Sequence, residues 1–173
     1  GAGLWLPQQA WGEPVKEECC KDGSASGFPN APDTPYPPVA KGTKRLFLCR
    51  HGQTELNRLG KIQGARVDEP LNENGLKQAM LLGEAVRPYE LAFIGSSKLS
   101  RARQTAEAIR LSHPGANGDA LALLNEVDFG AVSDGLALEE ARKITNKTYK
   151  RWTEGEVDAR SPGGGESFVE VEA

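Results

Sequence analysis

The sequence predicts an α/β fold, with a mostly parallel sheet, helices on both faces and an extended N-terminal arm in front of it. Two observations predict this fold. From about residue 43, short apolar runs alternate with stretches of helical periodicity, as in strand–helix–strand units. Polar residues suited to anion binding directly follow two of these runs. In such sheets, ligands bind beyond the carboxyl ends of the strands.

Residues 1–42 differ in character from residues 43–173, so we divide the chain there into an arm and a domain. The arm is rich in Pro, Gly, Ser and Ala and shows no sustained periodicity, which is typical of an extended segment. It also carries Trp5 and Trp11, more aromatic surface than a disordered linker usually has. Two interpretations stay open: the arm folds back on its own domain, or it docks on a protein partner through these aromatics.

Three apolar runs are predicted as strands. Residues 46–49 and residues 91–94 are continuous apolar runs, as expected for strands covered on both faces. Residues 121–124 predict a third, shorter strand. Because parallel strands end at one edge of a sheet, Arg50-His51-Gly52 and Ser96-Ser97 are expected at the same edge.

Three helices are predicted between and after these runs. Asn72 is a suitable N-cap for the first, which Pro88 would stop. Its buried face is predicted to consist of Leu76, Ala79, Met80, Gly83 and Val86. Ser96 and Ser97 offer a cap for a second helix over residues 98–111, with Leu99, Ala102, Ala106 and Ile109 facing inward. A third helix is indicated by apolar residues at helical spacing from Leu138 to Trp152.

Composition excludes several classes of function. Apolar residues make up 38% and charged residues 26% of the 173 residues, as in an ordinary soluble globular protein. The net charge of −3 argues against a nucleic-acid partner, and no apolar stretch reaches the length of a membrane span. Three cysteines without ligand spacing argue against a disulfide framework or a zinc site. The first residue is Gly1, so we expect a processed N-terminus, with a cytoplasmic or an organellar location, for example a plastid, left open.

The residues after the first two predicted strands favour phosphate chemistry. The imidazole of His51, flanked by Arg50 and Gly52, is suited to attack a phosphorus atom. Arg101 offers a second guanidinium fork and Asn57 an uncharged donor, so the charge on the transferring oxygens would be stabilised. Glu126 is the candidate that protonates the leaving alkoxide.

Five motifs in order resemble the histidine phosphatase superfamily, in its phosphoglycerate-mutase-like branch. They span residues 45 to about 168: R-H-G-Q-T-E-L-N from Arg50, D-E-P-L-N-E-N-G from Asp68, S-S-K-L-S-R-A-R-Q-T-A from Ser96, L-N-E from Leu124, and P-G-G-G-E-S from Pro162. The chain departs from the pattern where Asp134 replaces the usual glutamate before Gly135, and where the last motif has one extra glycine.

The resemblance implies a role for each candidate. His51 would be the nucleophile that becomes phosphohistidine, with Arg50, Asn57 and Arg101 binding phosphate and Glu126 acting as acid and base. No metal ion or organic cofactor would be needed. The short segment between Glu126 and the last motif is similar to that of the phosphatase members rather than the mutases.

The same resemblance predicts that the fold is incomplete at its C-terminus. The family's second histidine lies in an S-H-G motif after the glycine-rich segment, and the chain has only two histidines in all. We therefore expect an exposed strand edge or core surface. His113, in the sequence S-H-P-G, is superficially similar to that motif but follows a predicted helix rather than a strand. Gln63 and Gly64 either line the pocket or simply form a turn.

Two functions from different classes follow. The first is a phosphomonoester hydrolase that works through a phosphohistidine on small phosphorylated metabolites, such as sugars or carboxylic acids. The second is a catalytically inactive, phosphatase-like scaffold subunit that docks in a larger assembly through its N-terminal arm. The converging phosphate ligands favour the first, because a scaffold has no physical need for them.

Overall fold

The computed structural model describes residues 36–172, so the interpretations placed on Trp5 and Trp11 lie outside the described residues. The elements run, in chain order, α1 (Glu55–Arg58), α2 (Glu73–Val86), β1 (Phe93–Ser96), α3 (Ser100–Ser112), β2 (Asn117–Ala120), a 3₁₀ turn (Ala122–Leu124), α4 (Leu138–Thr153) and α5 (Phe168–Glu172). Within the described range, no helix has both the length and the apolar character needed to cross a membrane.

A parallel pair of strands forms the sheet, which confirms the predicted α/β class. β1 pairs with β2 in parallel, Phe93 opposite Asn117 and Ser96 opposite Ala120, with α3 as the connection between them. Helices α2 and α3 pack on each other and α3 packs on β1. Their shared core consists of Val86, Ile94, Ala106 and Ile109.

The strand predicted over residues 46–49 is wrong. This segment carries no strand pairing in the structure, and the exposed fractions of Leu46 and Leu48 are 88% and 94%. An apolar run becomes a buried strand only when a neighbouring strand pairs with it and side chains cover it. Phe47 packs with its ring 4.9 Å from that of Tyr89.

The other two strands differ from the prediction in position. β1 begins two residues later than predicted, and the strand expected over residues 121–124 is a 3₁₀ turn. Its place in the sheet is taken by β2, whose sequence Asn-Gly-Asp-Ala has no apolar pattern. Backbone pairing with β1 creates β2, since three of its four residues are exposed and contribute no apolar burial.

Helix α2 begins at the predicted cap. The side chain of Asn72 accepts a hydrogen bond from the backbone N–H of Gly75, and the helix ends before Pro88. Ala79, Gly83 and Val86 are buried as predicted, with Gly75 in addition. The prediction was wrong for two members of the face, Leu76 and Met80, which are exposed.

Helix α3 is capped from outside its own segment. The N-cap residue is Leu99, which has no side-chain cap, and the Ser97 hydroxyl reaches only the Leu99 N–H, at 3.3 Å. Instead, the Asp68 carboxylate accepts bonds from the Ser100 N–H and hydroxyl at 2.5 and 2.9 Å. Its buried side includes Ala106 and Ile109, as predicted, together with Arg101 and Thr105.

Helix α4 covers a second core. Ala141 of this helix packs with Ile62 and Phe129, and Val127, Leu136 and Tyr149 surround them. Two loops that flank the candidate site, residues 60–65 and 127–130, thereby share one apolar cluster.

Candidate active site

The imidazole of His51 is fixed by its neighbour in the chain. The distance from His51 Nδ1 to the Gly52 carbonyl oxygen is 2.7 Å. A carbonyl oxygen can only accept, so Nδ1 carries the proton and Nε2 carries the lone pair. The ring thus presents an unprotonated nitrogen, the form that a nucleophile requires.

Gly52 is itself held by α3 and α2. Its N–H donates to the Thr105 hydroxyl oxygen at 3.1 Å, and that hydroxyl donates to the Arg101 carbonyl at 2.8 Å. On its other side it lies so close to Gly75 that a β-carbon on Gly52 would be 2.3 Å from the Gly75 carbonyl oxygen. Only glycines permit this crossing of the His51 loop over the start of α2.

The surroundings of His51 favour its neutral form. Burial lowers the pKa of the imidazole most, and the positive charges of Arg101 and Arg50 lower it further. The bond to the Gly52 carbonyl opposes them by favouring the protonated ring. The pKa lies below the usual 6.5 in sum, so the ring is neutral at neutral pH.

Arg101 is the largest fully buried side chain in the described region, with an exposed fraction of 1%. Its Nη1 donates to the Val67 carbonyl at 2.8 Å and its Nη2 donates to the Gly64 carbonyl at 3.4 Å. A guanidinium has five N–H groups, so three remain for an anion. The orientation of the fork is therefore set by the loop over residues 64–67.

The amide oxygen of Asn57 is bound to the backbone. Its Oδ1 accepts from the Thr54 N–H, and the Asn57 N–H donates to the Thr54 hydroxyl oxygen, both at 3.2 Å. This reciprocal capping box starts α1. Because Oδ1 is engaged, the NH₂ end of the amide is the part left to donate to a ligand.

Gln63 lies beneath the same cap. It is buried, its Nε2 donates to the Thr54 hydroxyl oxygen at 2.9 Å, and its Oε1 has no partner among the described residues. A buried polar atom without a partner is costly, which favours the pocket interpretation of Gln63 over a simple turn.

Glu126 is exposed and lies within electrostatic range of Arg101 and Tyr149. One carboxylate oxygen accepts from the Val127 N–H at 3.2 Å. The residue as a whole is exposed to solvent, as an acid that exchanges protons with water and substrate requires. The charge of Glu126, after burial, raises the pKa of the Tyr149 phenol.

His113 has a different environment from His51. Its Nδ1 lies 3.1 Å from the Ile109 carbonyl oxygen and its Nε2 lies 3.0 Å from the Tyr89 carbonyl oxygen. Both ring nitrogens face backbone carbonyls, one in α3 and one in the segment after α2, so neither is directed at an incoming phosphate.

The charges of Arg50 and Arg101 thus act on the pKa of His51, and the charge of Glu126 acts on the pKa of Arg101. The sequence reasoning missed Thr105, which holds Gly52 from α3. Its signal was present, since Thr105 follows Arg101 by four residues and so lies on the same helix face. Among residues 36–172, no group of three acidic, histidine or cysteine side chains is placed to hold a metal ion.

Known proteins resemble this chain over much of its length. The chain is 37% identical over 134 residues to the probable phosphoglycerate mutase GpmB of Citrobacter koseri, covering 73% of this chain and 57% of that protein. It is 35% identical to the metal-independent phosphoserine phosphatase of Arabidopsis thaliana, covering 77% and 56%. The chain thus spans little more than half the length of these relatives.

Solved structures with the same fold include the mycobacterial glucosyl-3-phosphoglycerate phosphatase, with a TM-score of 0.55 and 30% identity over 70% of this chain and 55% of that one. A second is YhfR of Bacillus stearothermophilus, with a TM-score of 0.55 and 32% identity over 70% and 58%. The family model of the histidine phosphatase superfamily, branch 1, matches residues 46–173. The chain therefore belongs to the histidine phosphatase superfamily.

Proposed function

We propose that the protein is a phosphomonoester hydrolase that works through a phosphohistidine at His51. The observation that carries this proposal is the state of the imidazole. Nδ1 is engaged by the Gly52 carbonyl, and the pKa is held below its usual value by burial and by Arg101 and Arg50. A neutral ring whose Nε2 carries the lone pair, under the influence of two cations, is suited to attack a dianionic phosphate.

The chemistry balances in two steps. In the first, His51 Nε2 forms a bond to phosphorus, the bond to the ester oxygen breaks, and protonated Glu126 gives its proton to the leaving alkoxide. In the second, water attacks phosphorus, the phosphorus–nitrogen bond breaks, and the Glu126 carboxylate takes a proton from that water. Orthophosphate and an alcohol result, and both side chains return to their starting states.

The cationic groups stabilise the charge of the transferring oxygens. Arg101 presents its remaining N–H groups from a buried fork, Arg50 adds a second guanidinium, and Asn57 adds an amide donor. Positioning and charge neutralisation supply most of the rate in such a transfer. Small phosphorylated acids or sugars are the proposed substrates, supported by relatives named as phosphoserine and glucosyl-3-phosphoglycerate phosphatases.

The test compares phosphate release by the chain and by His51→Ala from p-nitrophenyl phosphate, phosphoserine and 3-phosphoglycerate. We expect turnover that His51→Ala abolishes, and a ³²P label that stays on the denatured protein as an acid-labile phosphoramidate. Lys98→Ala is the matched control, because this exposed residue lies beside α3 without a part in the mechanism. Turnover that survives His51→Ala at the wild-type rate would contradict the proposal.

The scaffold alternative gives a different result. It requires the folded chain to show neither turnover nor a phosphohistidine, while circular dichroism and a cooperative urea transition show that α2, α3 and α4 are formed. Binding of inorganic phosphate with no turnover would favour it as well, since the converging ligands would then serve recognition only.

A further inference from the structure

We propose that Asp134 is a positioning residue that sets the orientation of the Arg101 guanidinium through the backbone of Gly64. The Gly64 N–H donates to Asp134 Oδ1 at 3.1 Å, and the Gly64 carbonyl accepts from Arg101 Nη2 at 3.4 Å. The Gly64 backbone is therefore held at both groups, its N–H by Asp134 and its carbonyl by Arg101. For phosphate handling, this inference rests on the proposed function.

Asp134 takes the place of a backbone carbonyl at the end of an antiparallel pairing. The Leu138 N–H donates to the Gly60 carbonyl, and Ile62 exchanges bonds with residues 135 and 136, at 2.8 to 3.0 Å. The next donor along the loop is the Gly64 N–H, which the Asp134 side chain satisfies. The carboxylate thus extends the pairing by one bond, to the residue that contacts Arg101.

The room around Gly64 leaves little freedom for a different arrangement. A β-carbon there would lie 3.0 Å from the Val127 carbonyl oxygen and 3.1 Å from both Asp134 Oδ1 and the Phe129 ring. The loop is therefore packed against Phe129, a member of the core under α4, and Asp134 closes its remaining side. A shift of Asp134 would be transmitted to Gly64 rather than absorbed.

Charge contributes as well as geometry. Burial lowers the pKa of the Arg101 guanidinium, and the carboxylates of Glu126, Asp68 and Asp134 oppose that effect. No ion pair joins Arg101 to any of them among the described residues. The acids therefore compensate the buried charge from a distance, while the N–H groups of the fork stay available.

Position 134 is also one where this chain departs from the family pattern. Asp134 stands where the pattern has a glutamate, one methylene longer, so this chain reaches Gly64 with a shorter and stiffer side chain. Loss of the carboxylate should let the loop over residues 64–67 move, and with it the Gly64 and Val67 carbonyls that accept from Arg101. A displacement of about 1 Å at a phosphate ligand lowers the rate of a phosphate-transfer reaction by about ten- to a hundredfold.

The first experiment does not depend on activity. Hydrogen exchange of the Arg101 Nε–H is followed by ¹H–¹⁵N spectroscopy in the wild type, Asp134→Ala, Asp134→Asn and the exposed-site control Asp158→Ala. Arg101→Lys identifies the resonance, and the buried Arg110 Nε–H is the internal reference for global opening. We expect Asp134→Ala to speed exchange at Arg101 at least about tenfold without a change at Arg110.

The isosteric variant separates geometry from charge. Asp134→Asn keeps an oxygen that can accept from the Gly64 N–H but removes the negative charge. If the hydrogen bond sets the orientation, this variant keeps the slow exchange of the wild type. Unchanged exchange at Arg101 in Asp134→Ala would overturn the proposal.

The second experiment is a double-mutant cycle on the dissociation constant of orthophosphate, with Arg101→Lys as the second site. Lysine keeps the charge but has no fork to orient. We expect Asp134→Ala to weaken binding about tenfold or more in the wild type and to have little effect beside Arg101→Lys. An equal loss in both backgrounds would show a general structural role and overturn the proposal. If the wild type itself binds no phosphate, the proposed function fails, and the exchange comparison alone decides the role of Asp134.

Discussion

The crossing of Gly52 over Gly75 offers the sharpest test of how the nucleophile is held. A β-carbon on Gly52 would lie 2.3 Å from the Gly75 carbonyl oxygen and 2.9 Å from the Gly75 carbonyl carbon. These are backbone atoms at the start of α2, so they cannot swing aside like a side chain. Gly52→Ala must therefore push the His51 loop and α2 apart.

The expected cost follows from the kind of contact. Overpacking a well-filled interior costs typically 1–3 kcal/mol, and a methyl group against fixed backbone belongs at the upper end, about 3 kcal/mol. With an m-value of about 2 kcal/mol per molar urea, the unfolding midpoint would fall by about 1.5 M. Because the Gly52 carbonyl also accepts from His51 Nδ1, orthophosphate binding should weaken in the variant that remains folded.

Two controls make this prediction specific. A β-carbon on Gly115 meets no atom within 4 Å, so Gly115→Ala should change the free energy of unfolding by no more than about 0.5 kcal/mol. Gly75→Ala places its β-carbon 2.0 Å from the Gln53 carbonyl oxygen, at the same crossing. The double variant Gly52→Ala, Gly75→Ala should therefore cost clearly less than the sum of the single ones. A Gly52→Ala midpoint equal to that of Gly115→Ala would refute the reasoning.

Two further predictions concern the ligands of the site. Asn57→Asp keeps the acceptor that caps α1 but replaces the NH₂ group by a carboxylate oxygen. The urea unfolding midpoint should therefore change little, while calorimetry should show that orthophosphate binding is lost. Binding equal to that of the wild type would contradict the donor role of Asn57. Arg50→Gln removes one of the positive charges that lower the pKa of His51, so that pKa should rise. A ¹H titration of the His51 ring measures this pKa, with His113 as reference. In the active chain, the acid limb of kcat/KM should move to higher pH by the same amount. A pKa of His51 that falls or stays unchanged would contradict the assignment.

Local signals in the sequence were sufficient to predict α2, α3 and α4, whereas α1 and α5 were not predicted. Asn72 caps α2 because its side chain reaches a backbone N–H three residues on, and Pro88 ends the helix because it lacks a donor. Both effects act within one turn of chain. The cap of α3 was not accessible in this way, since Asp68 lies 32 residues before Ser100.

The strand predictions failed because strands depend on pairing partners elsewhere in the chain. Pairing partners decide whether a segment is a strand, and neither β2 nor residues 46–49 carry that information in their own composition. β2 is polar and exposed yet paired with β1, while Leu46 and Leu48 are apolar yet unpaired and exposed. Apolar periodicity predicts burial, and burial is a property of the surroundings.

The candidate ligands could be proposed from the sequence because their residue types were informative, whereas the groups that support them could not. His51, Asn57 and Arg101 stand out by residue type, but the Gly52 carbonyl, Thr105 and Asp134 act through the backbone. The His51 ring is oriented by one carbonyl, and the Arg101 fork rests on two. Substitution of a ligand and substitution of its backbone support should therefore give different results. The first replaces a ligand group in a site that keeps its shape, and the second leaves the ligand groups in place while the shape is lost. Asn57→Asp and Gly52→Ala are that pair, since only the second should change both the unfolding midpoint and phosphate binding.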